Sequence, residues 1–222
     1  MKKILLLTFI IISASCKQKE ETKPEIIELS VAEKIANANG YNHWKDVSQL
    51  NFTFNVDRDS THYERTWIWK PKTGDVTLIS GNDTISYNRK SVDSLSIKAD
   101  QGFINDKFWL LAPFQLVWDK SATISEPTKE KSQIGNVELN KITLTYPAEG
   151  GGYTPGDAYD FYYDANFIVK EWIFRRGNAK EPSMITSWDA YKDFNGLKLS
   201  TEHVKPEGNW KLYFTNISVK MN

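Results

Sequence analysis

Residues 50–70 read LNFTFNVDRDSTHYERTWIWK. Leu50, Phe52, Phe54 and Val56 alternate with Asn51, Thr53, Asn55 and Asp57. Successive side chains of a strand point to opposite faces, so this spacing predicts a strand with one apolar face. Tyr63, Trp67 and Trp69 repeat the two-residue period, with Arg65 between them, and predict a second strand. The pattern spreads outward. KPKTGD at 70–75 is a turn, Val76 and Leu78 begin another strand, GND at 81–83 turns again, and Ile85 and Tyr87 follow. Beyond the middle of the chain, Val137 and Leu139 stand in one phase and Ile142, Leu144 and Tyr146 in the other. That slip predicts a bulge near Asn140–Lys141. Tyr159, Phe161 and Tyr163 alternate, 164–166 turns, and strands are expected at 167–175, 184–192, 197–204 and 209–219, with an Asn195-Gly196 hairpin turn. The sum is a mainly β chain of about ten antiparallel strands with no 20–50-residue repeat.

Two segments break the pattern. Ser30-Val31-Ala32-Glu33 is a capping box, Ile35, Ala36 and Ala38 continue an apolar stripe, and Gly40 is a natural stop. A helix over 31–39 follows. Residues 91–118 lack alternation, and DQGFINDKFWLLAPFQLVW at 100–118 is apolar in clumps. Phe103, Phe108, Trp109 and Leu110 suit a helix or irregular cover, with Pro113 ending it, so 99–113 is the second expected cover. The polar stretch 125–133 reads as a loop, and the Gly/Pro-rich 147–157 as a longer one.

Of the 222 residues, 28 are basic and 28 acidic, so formal charge gives no electrostatic footprint for nucleic acid. Eight Trp, ten Tyr and eleven Phe supply a large apolar payload, and a single cysteine leaves no internal disulfide. That cysteine is Cys16. Lys2 and Lys3 precede an apolar run, Ile4–Ile12, broken only by Thr8, and small residues Ser13, Ala14 and Ser15 follow. The run is far short of the ~20 residues a spanning helix needs and matches a signal peptide over 1–15. The segment resembles the lipobox of bacterial lipoproteins, though Ser13 stands where that motif usually has a branched apolar residue. The resemblance implies acylation of Cys16 and a lipidated, flexible tether over 16–28. The alternative is a plain signal peptide with an incidental cysteine. Gln18-Lys19 followed by Glu20-Glu21 reads as a solvated tether and also resembles a surface-export signal.

FINDKFWLLAPFQL at 103–116, GGYTPGDAYDFYYD at 151–164, VKEWIF at 169–174 and SWDAYKDFNGLKLS at 187–200 together resemble a group of exported bacterial proteins. That group is similar to the outer-membrane lipoprotein-sorting, or lipoprotein-carrier, superfamily. The resemblance implies one domain over 29–222: a strongly curved antiparallel sheet, a half-open β-barrel, with one or two covering helices and room for acyl chains between sheet and cover.

Candidate ligand-binding residues are the strand aromatics Phe52, Phe54, Trp67, Trp69, Phe161, Tyr163, Trp172, Phe174 and Trp210. Ordinary core is the competing assignment for each. Arg65 and Lys170 interrupt apolar faces; they are expected to guard strand edges, with contact to an anionic head group as the alternative. Asp157 and Asp160 flank a Pro155-Gly156 turn and are too few to hold calcium. The histidines His43, His62 and His203 show no metal-ligand spacing, and Glu202 and His203, neighbours on a strand, face opposite ways. No nucleophile-elbow or phosphate-loop motif is present. The expectation is a lipoprotein anchored to the outer membrane, on its periplasmic or cell-surface face. It would be non-catalytic, without cofactor or metal, and bind a hydrophobic or amphiphilic ligand such as an acyl chain. A glycan-binding or scaffold lipoprotein is the alternative.

Overall fold

The computed structural model describes residues 28–150 and 153–222. The signal peptide, Cys16 and nearly all of the tether lie outside the described residues. Helix α1 (Val31–Ala38) starts at the expected box: Ser30 Oγ accepts from the Glu33 amide at 3.3 Å, and the Glu33 carboxylate accepts from the Ser30 amide at 2.8 Å. Its buried stripe is Ala32, Ile35 and Ala36. Gly40, at φ 87°, turns the chain into a short 3₁₀ helix, Tyr41–Asp46.

Fourteen strands follow among the described residues, more than the sequence pattern predicts. The first sheet contains β1 (Val47–Arg58), β2 (Thr61–Lys70), β3 (Asp75–Ser80) and β4 (Asp83–Asn88). The long helix α2 (Ile97–Trp118) comes next. The second sheet holds β5 (Thr123–Ile124), β6 (Thr128–Lys131), β7 (Glu138–Thr145), β8 (Ala158–Tyr163), β9 (Val169–Arg175) and β10 (Met184–Ser187). A small hairpin of β11 (Lys192–Phe194) and β12 (Leu197–Leu199) precedes β13 (Glu202–Val204) and β14 (Lys211–Met221). The last two strands rejoin the first sheet, in the order β13-β14-β1-β2-β3-β4. The second sheet runs β10-β9-β8-β7-β5, with β6 also on β7. All pairings are antiparallel and neither sheet closes. The two sheets meet where the Val204 amide donates to Ser187 Oγ at 3.2 Å and Asp189 bridges Glu202.

Three expectations are corrected here. Pro113 does not end α2. It removes one amide from the ladder, and Leu111 absorbs the misfit at φ −123°, ψ 22°, while burial of Phe114 and Leu116 holds the helix to Trp118. No bulge lies at Asn140–Lys141, where β7 pairs in unbroken register with β6 and β8. The phase change has another cause: Val137 precedes the strand, 53 % exposed, and Leu139 faces outward opposite Glu130. The register shifts lie elsewhere, in β1–β14 between Val47 and Gln49 and again near Asn216, at φ 52°, and in β8–β9 beside Tyr163. The stretch 125–133 is not simply a loop, because Thr128–Lys131 forms a short, fully exposed, charged edge strand, the kind that resists further pairing.

α2 packs on both sheets. Phe103 meets Trp67 and Trp69 of β2 at ring separations of 5.4 and 5.3 Å. Phe108 meets Tyr159 of β8 at 4.7 Å, and Trp109 meets Trp172 of β9 at 4.5 Å. The opposite face of β1 is polar but bonded: Thr53 pairs with Thr66 at 2.8 Å, and Asn55 donates to the Tyr213 carbonyl at 3.2 Å.

Candidate functional site

Between α2 and the two sheets lies a cavity of ≈ 990 Å³. The first sheet contributes Phe54, Val56, Trp69 and Leu212 to its wall, with Trp210 just before β14, and the second Tyr159, Trp172, Phe174 and Met184. α2 presents Ile104, Phe108, Trp109 and Trp118, and Trp44 of the 3₁₀ helix joins the wall with its ring tilted 58° to that of Trp118 at 4.9 Å. Period-two strands and a period-3.6 helix thus turn their apolar faces on the same space.

The polar groups gather on α2 and the adjoining loops. Lys107 is 7 % exposed, and its ammonium donates to Gln115 Oε1 at 3.0 Å. Burial, then the like charge of Arg89, pushes the Lys107 ammonium down to about 7. Burial pushes the Tyr146 phenol up to about 12. Asp100, buried near the start of α2, accepts from Arg89 Nε at 2.9 Å, Tyr87 at 3.1 Å and Tyr153 at 2.9 Å. Arg89, Lys107, Gln115, Asp119, Tyr146 and Tyr153 all reach the cavity wall.

The structure divides the sequence candidates. Phe54, Trp69, Trp172, Phe174 and Trp210 lie on the cavity wall. Phe52, Trp67, Phe161 and Tyr163 do not; they are buried in the core. Arg65 is neither an edge guard nor a free cation. β2 is an interior strand, and Arg65 reaches across to Asp106 of α2, its Nη2 donating to Oδ1 at 2.6 Å. The Trp67 indole donates to the same carboxylate at 2.7 Å. Lys170 is exposed and sits 3.4 Å from Asp164. Asp160 is held by Arg175 and Thr143, and Asp157 accepts from the Gly177 amide at 2.8 Å. The turn before them has the expected form, with Gly156 at φ 75° and the Asp157 amide donating to the Thr154 carbonyl. Among the described residues no three His, Cys, Asp or Glu side chains are grouped to hold a metal, and no helix is long and apolar enough to cross a membrane.

Sequence reasoning missed Trp44, Lys107, Gln115 and Trp118 as wall residues, and placed Phe108 and Trp109 in the cover without counting them as ligand contacts. A signal was present. Phe103, Lys107, Leu111 and Gln115 follow one another at i, i+4, which puts a lysine on the buried row of a helix. Ending the helix at Pro113 hid that row.

No protein-family model matches the sequence, and no curated protein matches it either. Solved structures do. A LolA superfamily protein from Nitrosomonas europaea is 10 % identical, aligns over 87 % of this chain and 96 % of its own, and superposes with a TM-score of 0.50. The chain resembles the lipoprotein-carrier superfamily in fold. A DUF1329 family protein from Desulfovibrio piger is 9 % identical over 86 % of this chain and 90 % of its own, also with a TM-score of 0.50. At these identities the likeness is one of fold alone.

Proposed function

We propose that this protein is a non-catalytic lipoprotein that takes the apolar part of a lipid or other amphiphile into the cavity beside α2. The observation that carries the reading is the cavity itself: its ≈ 990 Å³ and aromatic wall fit the form of a small-molecule site, which commonly spans ~300–1,000 Å³. The two open sheets, read as one strongly curved half-barrel around α2 within a domain of 29–222, supply the hollow. The fold likeness to a LolA superfamily protein agrees with it. Acylated Cys16 would hold the domain at the outer membrane. The orientation of the aromatics favours this reading over glycan binding, because none of the nine candidates is exposed as a stacking platform would be.

The test is native mass spectrometry of the purified protein, with organic extraction, followed by titration with an apolar fluorescent probe. A co-purifying fatty acid or phospholipid is the expected result. Trp172→Ala is expected to weaken the probe by about tenfold, a loss near 1.4 kcal/mol. Trp67→Ala is expected to lower the melting temperature with probe affinity unchanged, since that indole sits in the core. Full probe affinity in Trp172→Ala would make the aromatic wall plain core.

A further inference from the structure

Burying a charge is costly unless it is paired, and among the described residues most buried charges meet an opposite charge or a pair of backbone amides. Asp100 is met by Arg89, Asp106 by Arg65, Asp160 by Arg175, and Glu171 by the amides of Ile134 and Gly135 at 2.9 and 2.7 Å. Lys107 is as buried as these and forms no ion pair among the described residues. An ammonium carries three protons. The hydrogen bonds give it one acceptor, Gln115 Oε1, and the Trp118 ring centroid lies 5.3 Å away. The charged groups that bear on it are Arg89, following β4, which repels it, and Asp119 and Asp100, at the two ends of α2, which attract it. Both carboxylates have other donors: Asp100 those named above, and Asp119 the amide and hydroxyl of Ser121 at 3.2 and 2.7 Å. The Tyr146 phenol, beyond β7, stands near Gln115 and Asp119. Lys107 and Gln115 both line the cavity whose remaining wall is largely aromatic.

We propose that Lys107 and Gln115 form the head-group end of the cavity, and that its occupant is a single-chain amphiphile with an anionic oxygen head group, a carboxylate or a phosphate monoester. The proposal rests on the amphiphile-binding reading above and narrows it. An anionic oxygen beside Lys107 supplies the missing counter-charge, and Gln115, which now accepts from Lys107, has an amide N–H₂ with which to donate to the same head group. The alkyl chain then runs along Phe54, Trp69 and Trp172. Because burial, with the like charge of Arg89, holds the ammonium down to about 7, the free site loses its charge above that pH, and affinity for an anion falls there.

The experiment compares dodecanoate, monododecyl phosphate and dodecanol as ligands for the exported chain carrying Cys16→Ser, which brings no acyl chain of its own. Intrinsic tryptophan fluorescence reports binding at about pH 6 and about pH 8.5, on either side of the ammonium's titration. At the lower pH at least one anion is expected to bind about tenfold or more tighter than dodecanol, and the margin is expected to shrink at the higher pH. The anion that binds better identifies the head group. In Lys107→Met the anions are expected to drop to the level of dodecanol on that same variant. Equal affinity of all three ligands for the Lys107 protein, or a margin that survives in Lys107→Met, overturns the head-group assignment and leaves amphiphile binding standing. Binding of none overturns the amphiphile reading itself. The comparison on the Lys107 protein decides the matter even if the variant does not fold.

Discussion

Asp106 accepts from Arg65 of β2 and from the Trp67 indole, and is itself fully enclosed. Asp106→Asn leaves the guanidinium buried without its counter-charge, which typically costs ~3–5 kcal/mol. Urea denaturation midpoints check this, with the cavity expected to keep its probe affinity in whatever fraction remains folded. His203 makes a pH-dependent prediction. It is completely buried among Trp109, Trp188 and Phe214, its ring 4.0 Å from that of Trp188, and burial pushes it down from 6.5 to about 3. The unfolded chain therefore takes up a proton as pH falls below about 6.5 that the folded chain refuses until about 3. Stability contributed by the neutral ring is present above that window and is lost through it, at up to ~1.4 kcal/mol per pH unit. In His203→Phe the fall in urea midpoint between about pH 6.5 and about pH 5, above most carboxylate titration, is expected to flatten. Equal slopes in both proteins would clear His203 of the effect.

Most elements were legible in the sequence where one physical signal acts alone. The capping box at Ser30 and Glu33, the alternation of β1 and β2, and the Asn195-Gly196 turn depend on near neighbours, and each is where the pattern puts it. Elements whose form depends on distant partners were not. β6 is four exposed residues, TKEK, with no apolar period; it exists because β7 offers a free edge. α2 runs through Pro113 because tertiary burial of Phe114 and Leu116 outweighs a missing hydrogen bond, and no local signal carries that balance. The wall of the cavity was half legible for the same reason. Strand period finds Phe54, Trp69, Trp172, Phe174 and Trp210, but cannot tell them from Phe52, Trp67, Phe161 and Tyr163, which share their phases. The difference lies in what stands opposite each ring, and for Trp67 that is Asp106 of α2. At the element scale the junction of α1 and the β11–β12 hairpin is a close approach of two backbones. Gly40 is left-handed, and a Cβ there would collide with the Gly196 carbonyl. Gly40→Ala combines backbone strain with that overlap, and is expected to cost more than the ~1 kcal/mol typical of a left-handed glycine alone, read from thermal or urea melts.

For the whole molecule, the question is where it is held and what it holds. The expected anchor at Cys16 makes a direct prediction: Cys16→Ser moves the protein from the membrane fraction to the soluble one, followed by fractionation and immunoblotting. Retention in the membrane would mean that another segment does the anchoring. Two or more acyl chains give stable attachment, each buried CH₂ contributing ~0.8 kcal/mol, so loss of the modified cysteine is expected to be decisive.

The fastening of α2 is lopsided. Its hydrogen bonds to strands run to the first sheet: Asp106 to Arg65 and Trp67 of β2, and Asp100 to Tyr87 of β4 with Arg89 just beyond. Toward the second sheet its contacts with the strands are ring on ring, Phe108 and Trp109 against Tyr159 and Trp172, while the phenols that approach it come from outside the strands, Tyr153 donating to Asp100 and Tyr146 standing near Gln115 and Asp119. Directional bonds resist displacement, whereas apolar surfaces can slide over one another at a cost set by area. In mechanical terms the helix is bolted along one side and greased along the other. The soft dimension of the molecule is thus the gap between α2 and β8–β9, and that gap is the one dimension of the hollow that can widen without breaking any hydrogen bond between α2 and the strands.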